Sequence, residues 1–246
     1  MPKIIFDWGL EGVREAIKNE EIPIIVDILR FSSTITTAIA HGFIIYPFFN
    51  KKRAAEFASE NGFELAGKTG EAKFSNSSLS FLENKDYKNK KVVLATPNGG
   101  ACAELFQEEG LGYIGSFLNA GAVADYVNQL AKKTGRDIAV IGVGERYSRR
   151  KSGEIIFLDE IQRLVFTAED FLGAGAIIAQ MDLEKTPEAK VCELAFRSSQ
   201  GKLKELVQET ASGKQIMTRG REKEIDHLIQ LNYYDVVPII HKGMIK

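Results

Sequence analysis

Six prolines, three histidines, two cysteines and a single tryptophan are all that these residue types contribute to 246 residues, and each scarcity removes a class of chemistry. Cys102 and Cys192 stand far apart and outside any Cys-x-x-Cys spacing. They are read as reduced, packed thiols, not as a disulfide framework or a zinc ribbon. His41, His227 and His241 are scattered, so neither a histidine-based zinc site nor a Ser-His-Asp order is present. Charge of one sign is also lacking: 32 basic against 33 acidic residues leave a formal net of −1. That argues against a nucleic-acid partner, and no polybasic or polyacidic tail is present. The stretch Met1–Trp8 turns polar too soon for a signal-peptide core, and no apolar run reaches membrane-spanning length. A cytoplasmic protein with no membrane partner is the expectation.

What remains is 44% hydrophobic and long enough to bury a substantial core. Lys3–Phe6, Pro23–Ile28, Phe43–Pro47, Lys91–Ala95, Leu111–Ile114, Asp137–Val143 and Val236–Ile240 read as strands rich in Ile and Val. Several are apolar at every position, as strands covered on both faces are. Helical spacing appears at Leu10–Lys18, after Asn50 and after Asn119, two residues suited to capping. From about Gly153 the chain reads as mostly helical, through Ala168–Gln180, Glu188–Phe196, Lys202–Val207 and Glu222–Ile229. The alternation predicts an α/β fold with largely parallel or mixed sheets covered by helices. Ile24–Arg30 and Ile138–Arg146 echo one another as apolar strands running into charged turns. Two related α/β halves, 1–134 and 135–246, are therefore expected, the second more helical. The polar stretch Lys68–Lys91 reads as a long irregular loop. Tyr46, Phe48 and Phe49 read as a partly buried edge, with a homodimer contact as the alternative.

Four strand-to-helix turns carry polar side chains, where ligands of parallel sheets bind. In the first, Asp27, Arg30, Ser32, Ser33 and Thr34 follow a buried strand and open a helix. A helix start offers free N–H groups to an anion, and Arg30 can add a bidentate contact. Asp27 is costly among Ile and Val unless it caps the helix, pairs with Arg30 or meets a metal; the residues leave all three open. The second turn, Thr96-Pro97-Asn98-Gly99-Gly100, allows close backbone approach, though it lacks the Gly-Lys-Ser/Thr of a P-loop. The third is Gly115-Ser116-Phe117-Leu118-Asn119. The fourth, Glu169-Asp170-Phe171-Leu172-Gly173-Ala174-Gly175-Ala176, pairs two acids with an almost bare helix. The acids favour the helix dipole, and they can equally hold a hard cation such as Mg²⁺. A small anionic, phosphorylated substrate fits this set.

Together these four segments, with Ser199-Gln200-Gly201-Lys202-Leu203, Gly220 and Asp226, resemble the 2-phosphosulfolactate phosphatase family over roughly Ile24 to Pro238. The resemblance implies an α/β enzyme of two related halves. It implies Mg²⁺-dependent hydrolysis of 2-phosphosulfolactate to sulfolactate and phosphate, a step toward coenzyme M in methanogens. On that reading Asp27 with Glu169 or Asp170 holds Mg²⁺. Arg30, Ser33, Thr34 and the backbone at Asn98-Gly99 stabilise the transferring group, Asn119 orients substrate, and Thr96 and Ser116 line the site. Leu29, where a covalent Asp-x-Asp pattern would need a second Asp, argues against Asp27 as a nucleophile. Two departures stand out. The family's Thr-Asn-Gly-Thr-like turn has lost a hydroxyl here, and Gly67-Lys68-Thr69-Gly70-Glu71 replaces a Gly-Glu-Arg-Gly-Gly-like segment. A phosphatase for another phospho-hydroxy acid and a non-catalytic module for an anionic metabolite are the alternatives.

Overall fold

The computed structural model describes residues 1–68, 72–84, 89–108, 110–146, 148–149, 155–156 and 164–246. The chain opens with β1 (Lys3–Trp8), α1 (Gly9–Lys18), β2 (Ile22–Val26), α2 (Phe31–Ala40), β3 (Ile44–Phe48) and α3 (Lys51–Asn61). Next come β4 (Glu64–Leu65), α4 (Ser78–Leu82), β5 (Lys91–Ala95), α5 (Pro97–Glu104) and β6 (Gly112–Ile114). A 3-10 turn, Phe117–Asn119, leads into α6 (Ala120–Thr134) and β7 (Ile138–Gly142). Four two-residue strands follow: β8 (Glu145–Arg146), β9 (Ser148–Arg149), β10 (Ile155–Ile156) and β11 (Leu164–Val165). The chain continues through α7 (Ala168–Ile178), β12 (Glu184–Lys185), α8 (Pro187–Ser199), α9 (Leu203–Glu209), α10 (Ala211–Thr218) and α11 (Glu222–Leu228). It closes on the hairpin β13 (Ile239–His241) and β14 (Met244–Ile245).

Ten strands form one sheet in the order β12-β1-β7-β2-β6-β13-β14-β3-β5-β4. Strands β12 through β6 pair in parallel, as do β3, β5 and β4, and the C-terminal hairpin joins the two blocks through antiparallel pairs. β7, from the later half of the chain, lies between β1 and β2. Residues before and after position 134 therefore share one sheet.

Helices cover both faces, which accounts for the uninterrupted apolar strands. Ile24 and Val26 of β2 face a core with Val127 of α6, Ile177 of α7 and Phe196 of α8. Ile25, between them, faces the opposite core with Val13 of α1, Phe31 and Ile35 of α2, and Phe106. β7 splits the same way, Val140 to one side and Ile141 to the other. A third cluster gathers Phe48, Ala54 and Val93, with Tyr46, Phe57 and Phe63 packed against it. Phe48 is buried there while Phe49 is exposed. Cys102 and Cys192 are buried, and burial pushes the Cys192 thiol up. Among the described residues, no helix is long and apolar enough to cross a membrane.

Local signals act as their chemistry dictates. Asn50 caps α3 by accepting from the Lys52 and Arg53 amides at 2.9 and 3.1 Å, and Gly62 ends it at a φ of +65°. The stretch expected as an irregular loop instead contains α4, with Phe74 and Phe81 stacked and buried against Phe43. These aromatics need a core, and the polar residues around them concealed it; Thr69, Gly70 and Glu71 lie outside the described residues, as does Tyr147. α10 is a helix that the sequence pattern did not reveal, started by the Thr210 hydroxyl on the Gly213 amide at 3.0 Å.

The bare face of α7 permits two close approaches. A Cβ on Gly173 would meet the Ile28 side chain at 2.4 Å, and one on Gly175 would meet the Cys192 carbonyl oxygen of α8 at 2.4 Å. Backbone at that distance cannot yield as a side chain can. Gly175→Ala is therefore expected to cost about 1–3 kcal/mol, read as a lower midpoint of denaturant unfolding with an unchanged slope. A midpoint equal to wild type would show that α7 and α8 can move apart freely.

Candidate functional site

The turn after β2 is fixed by its own hydrogen bonds. The Asp27 amide donates to Ser32 Oγ at 2.9 Å, the Ser32 amide to the Asp27 carbonyl at 2.8 Å, and Ser32 Oγ to the Ile25 carbonyl at 3.0 Å. Asp27 Oδ1 accepts from the Phe31 amide at 3.1 Å, so this carboxylate caps the start of α2. It also lines a compact cavity of about 130 Å³ with Arg30, Asn76, Thr96, Asn98, Glu145, Ser212, Gln215 and Arg219. Larger grooves of 520 and 580 Å³ exist elsewhere, but none of these acids lines them.

One wall of the cavity is acidic. Asn98 Nδ2 donates to Glu145 Oε1. Behind Asp27 lie Glu169 and Asp170, both buried in the first turn of α7. Asp170 Oδ1 accepts from the Ile28 amide at 2.7 Å, and its Oδ2 accepts from the Gly144 amide at 3.0 Å and the Thr167 hydroxyl at 2.8 Å. Glu169 Oε2 and Asn98 Oδ1 are buried acceptors with no hydrogen-bond donor among the described residues. Burial first, then the negative charges of Glu145 and Glu169, lift the Asp27 carboxyl from its ordinary 3.8 to about 7; the Phe31 amide and Arg30 oppose this. Burial followed by Asp27 and Glu169 raises Asp170 well above its ordinary value. Glu169 is raised too, chiefly by burial. Carboxylates held this close and this dry favour a proton or a cation among them.

Another part of the cavity lining is basic. Arg30, four-fifths covered, lies 3.5 Å from the fully buried Glu224, which also pairs with Arg221 at 2.5 Å. Arg219, at the end of α10, lines the cavity. α11, which carries Glu224, is tied to α2 through His227 Nε2 and Thr37 Oγ1 at 3.1 Å. Burial, with His41 nearby, lowers His227 to about 4, so this imidazole is a neutral tether.

Of the residues singled out from sequence, Asp27, Arg30, Thr96 and Asn98 come together around the cavity. Gly99 meets protein instead: a Cβ there would lie 2.2 Å from the Phe31 ring. Ser33 and Thr34 are fully buried in α2, with hydroxyls that have no hydrogen-bond partner among the described residues, and neither lines the cavity. Ser116 and Asn119 also lie away from it. Asn119 Oδ1 accepts from the Ser116 amide and hydroxyl at 2.9 and 3.0 Å, and its Nδ2 donates to the Ile114 and Val236 carbonyls at 3.1 Å each. Its side chain makes no capping bond to α6; it knots the turn after β6 to the segment before β13. Sequence reasoning passed over Glu145, Asn76, Ser212, Gln215 and Arg219. For Glu145 a signal existed, since it follows an apolar strand as Asp27 does. The pair Arg219 and Arg221 around Gly220 was a weaker one.

Known proteins resemble the chain over nearly its whole length. A family model described as 2-phosphosulpholactate phosphatase matches residues 10–243. The chain is 28% identical to the 2-phosphosulfolactate phosphatase of Methanothermobacter thermautotrophicus, over 91% of this chain and 88% of the relative. It is 29% identical to a probable 2-phosphosulfolactate phosphatase of Carboxydothermus hydrogenoformans, over 92% and 90% of the two chains. A protein of the same name from Clostridium perfringens is 27% identical over 94% and 90%. The match spans nearly the whole chain and takes in both walls of the cavity, from Asp27 to Glu224, and the chain belongs to the 2-phosphosulpholactate phosphatase family.

Proposed function

We propose that this protein hydrolyses the phosphate ester of 2-phosphosulfolactate to sulfolactate and inorganic phosphate, with Mg²⁺ held at the acidic wall of the cavity. The observation that carries the reading is a single cavity lined both by acids, the buried Asp27 and the half-buried Glu145, and by the guanidinium groups of Arg30 and Arg219. A substrate with a phosphate and two further acid groups needs positive charge at both ends, and one wall here has it only when a cation joins the carboxylates.

The side chains present suit Mg²⁺. Glu169 Oε2 and Asn98 Oδ1 are acceptors that lack donors among the described residues, and such atoms are costly to bury unless a ligand meets them. Among the described residues, no three His, Cys, Asp or Glu side chains converge as a ready-made cage. Mg²⁺ does not require one, because it is commonly bound by one or two carboxylates completed by water and substrate phosphate. Asp27 and Glu169 would hold the ion. Asp170, whose oxygens already accept three hydrogen bonds, would orient the turn that presents Asp27. When bound, the ion would offset the charge of the acids and polarise the phosphoryl group.

The remaining work falls to the chain. Arg30 grips anionic oxygens bidentately, and its angle is held by Glu224. The amide of Asn98, in the first turn of α5, lies where a helical partner is lacking and can donate to the phosphoryl oxygens. Asn98 is kept in place by its bond to Glu145.

Asp27→Asn is expected to lower phosphate release from 2-phosphosulfolactate by about 100-fold or more at saturating Mg²⁺, and EDTA should silence the wild type. Unchanged turnover in both experiments would overturn the metal role.

A second expectation concerns pH. Without metal, folded Asp27 keeps its proton up to about pH 7 whereas the unfolded carboxyl loses it near 3.8. Between these values the folded state binds more protons, so stability falls as pH rises. Metal-free protein should melt at a lower temperature at pH 8 than at pH 5, Asp27→Asn should flatten the difference, and Mg²⁺ should raise the midpoint more at pH 8. A midpoint independent of both pH and Mg²⁺ would count against the acidic cluster.

A further inference from the structure

The basic wall holds more positive charge than its own acid can match. Arg30 and Arg221 both pair with Glu224, a single carboxylate sealed from solvent. Arg219 is exposed at the cavity rim, and among the described residues no carboxylate stands within ion-pair distance of it. The guanidinium groups crowd one another: Arg221 is lowered by burial first, and the charges of Arg30 and Arg219 add to this.

Arg219 is aimed by its backbone. α10 is seated by the buried Ile216 and by Gly213, where a Cβ would lie 1.9 Å from the Val207 carbonyl oxygen. Gly220, at a φ of +67°, then turns the chain. The turn separates Arg219, on the cavity, from Arg221, committed to Glu224. An unmatched guanidinium on a cavity that carboxylates also line is a receptor for an anion that the carboxylates reject.

We infer that Arg219 is a specificity-determining residue, binding the strong acid group on the carbon next to the phosphoester carbon. This rests on the substrate reading above. The phosphate occupies the end where a cation can join the acids, so the second acid must lie toward Arg219. A planar guanidinium donates two parallel hydrogen bonds to a sulfonate or a carboxylate. A substrate with a methyl group in that place leaves Arg219 without a partner and gains nothing from it.

The test uses the full-length protein with saturating Mg²⁺ and three phosphoesters of matched skeleton. These are 2-phosphosulfolactate, 2-phosphomalate with a carboxylate in place of the sulfonate, and 2-phospholactate with a methyl group. For Arg219→Gln, kcat/KM on 2-phosphosulfolactate is expected to fall roughly 10- to 100-fold, mostly through KM. On 2-phospholactate it should stay within about threefold of wild type. Arg219→Lys should restore part of the loss, and Arg53→Gln, an exposed arginine of α3, should change nothing. A fall on 2-phosphomalate like that on 2-phosphosulfolactate assigns Arg219 to negative charge; a fall confined to 2-phosphosulfolactate assigns it to sulfonate. An equal loss on all three substrates, with a wild-type melting temperature or in Arg219→Lys as well, would overturn the inference, as would no loss on any. Wild-type protein that turns over none of the three would overturn the substrate reading itself, a failure visible before any variant is made.

Discussion

Both oxygens of Asp170 accept hydrogen bonds from groups on three separate pieces of chain, and the site is organised around that one carboxylate. The Ile28 amide follows β2, the Gly144 amide follows β7, and the Thr167 hydroxyl precedes α7. Two parallel neighbours in the sheet are thus gathered at their carboxyl ends and fastened to the first turn of a helix. Asp27 directly follows β2 and Glu145 opens β8 shortly beyond β7, so the anchor sets where both acids stand. Removing one partner of such a buried network leaves amides without acceptors, each costing on the order of 1–3 kcal/mol.

The same arrangement carries a cost. Asp27, Glu169 and Asp170 are all buried, and their mutual repulsion adds to their desolvation. A fold selected for stability alone would replace them with apolar side chains of similar size. The basic wall is built differently. Glu224 neutralises part of the charge of Arg30 and Arg221, and the neutral His227 tethers its helix to α2. Burial and mutual repulsion raise the carboxyls of Asp27, Glu169 and Asp170, whereas the basic wall is already folded around its own counter-ion and leaves one guanidinium over.

Much of the fold was legible in sequence because its strands are covered on both faces. Ile24, Ile25 and Val26 are consecutive apolar residues serving two cores, and no polar residue interrupts them. Gly173 and Gly175 signalled the close seating of α7 for a comparable reason, since they contact neighbours where no Cβ fits. Legibility failed where short elements draw their stability from distant contacts. α4 has five residues and owes its place to Phe81 among Phe43 and Phe74. β12 and β14 are two residues each, too brief for any periodicity to show.

The candidate site divides along a related line. Asp27, Arg30, Thr96 and Asn98 follow long apolar strands, so their polarity stood out against what preceded them. Ser116 and Asn119 stood out equally, yet every polar atom of the Asn119 side chain meets protein, which shows that polarity at a strand end marks either a ligand site or a buried knot. Only partners in space separate the two, and those partners lie as far off as Val236. Arg219 shows the converse. It ends a short helix in a polar stretch and shares its sequence surroundings with several lysines and arginines. What distinguishes it is that Glu224, the nearby acid of this wall, is already held by Arg30 and Arg221. Whether a surface charge is free to meet a ligand depends on who has claimed its natural partner, and the linear sequence does not encode that.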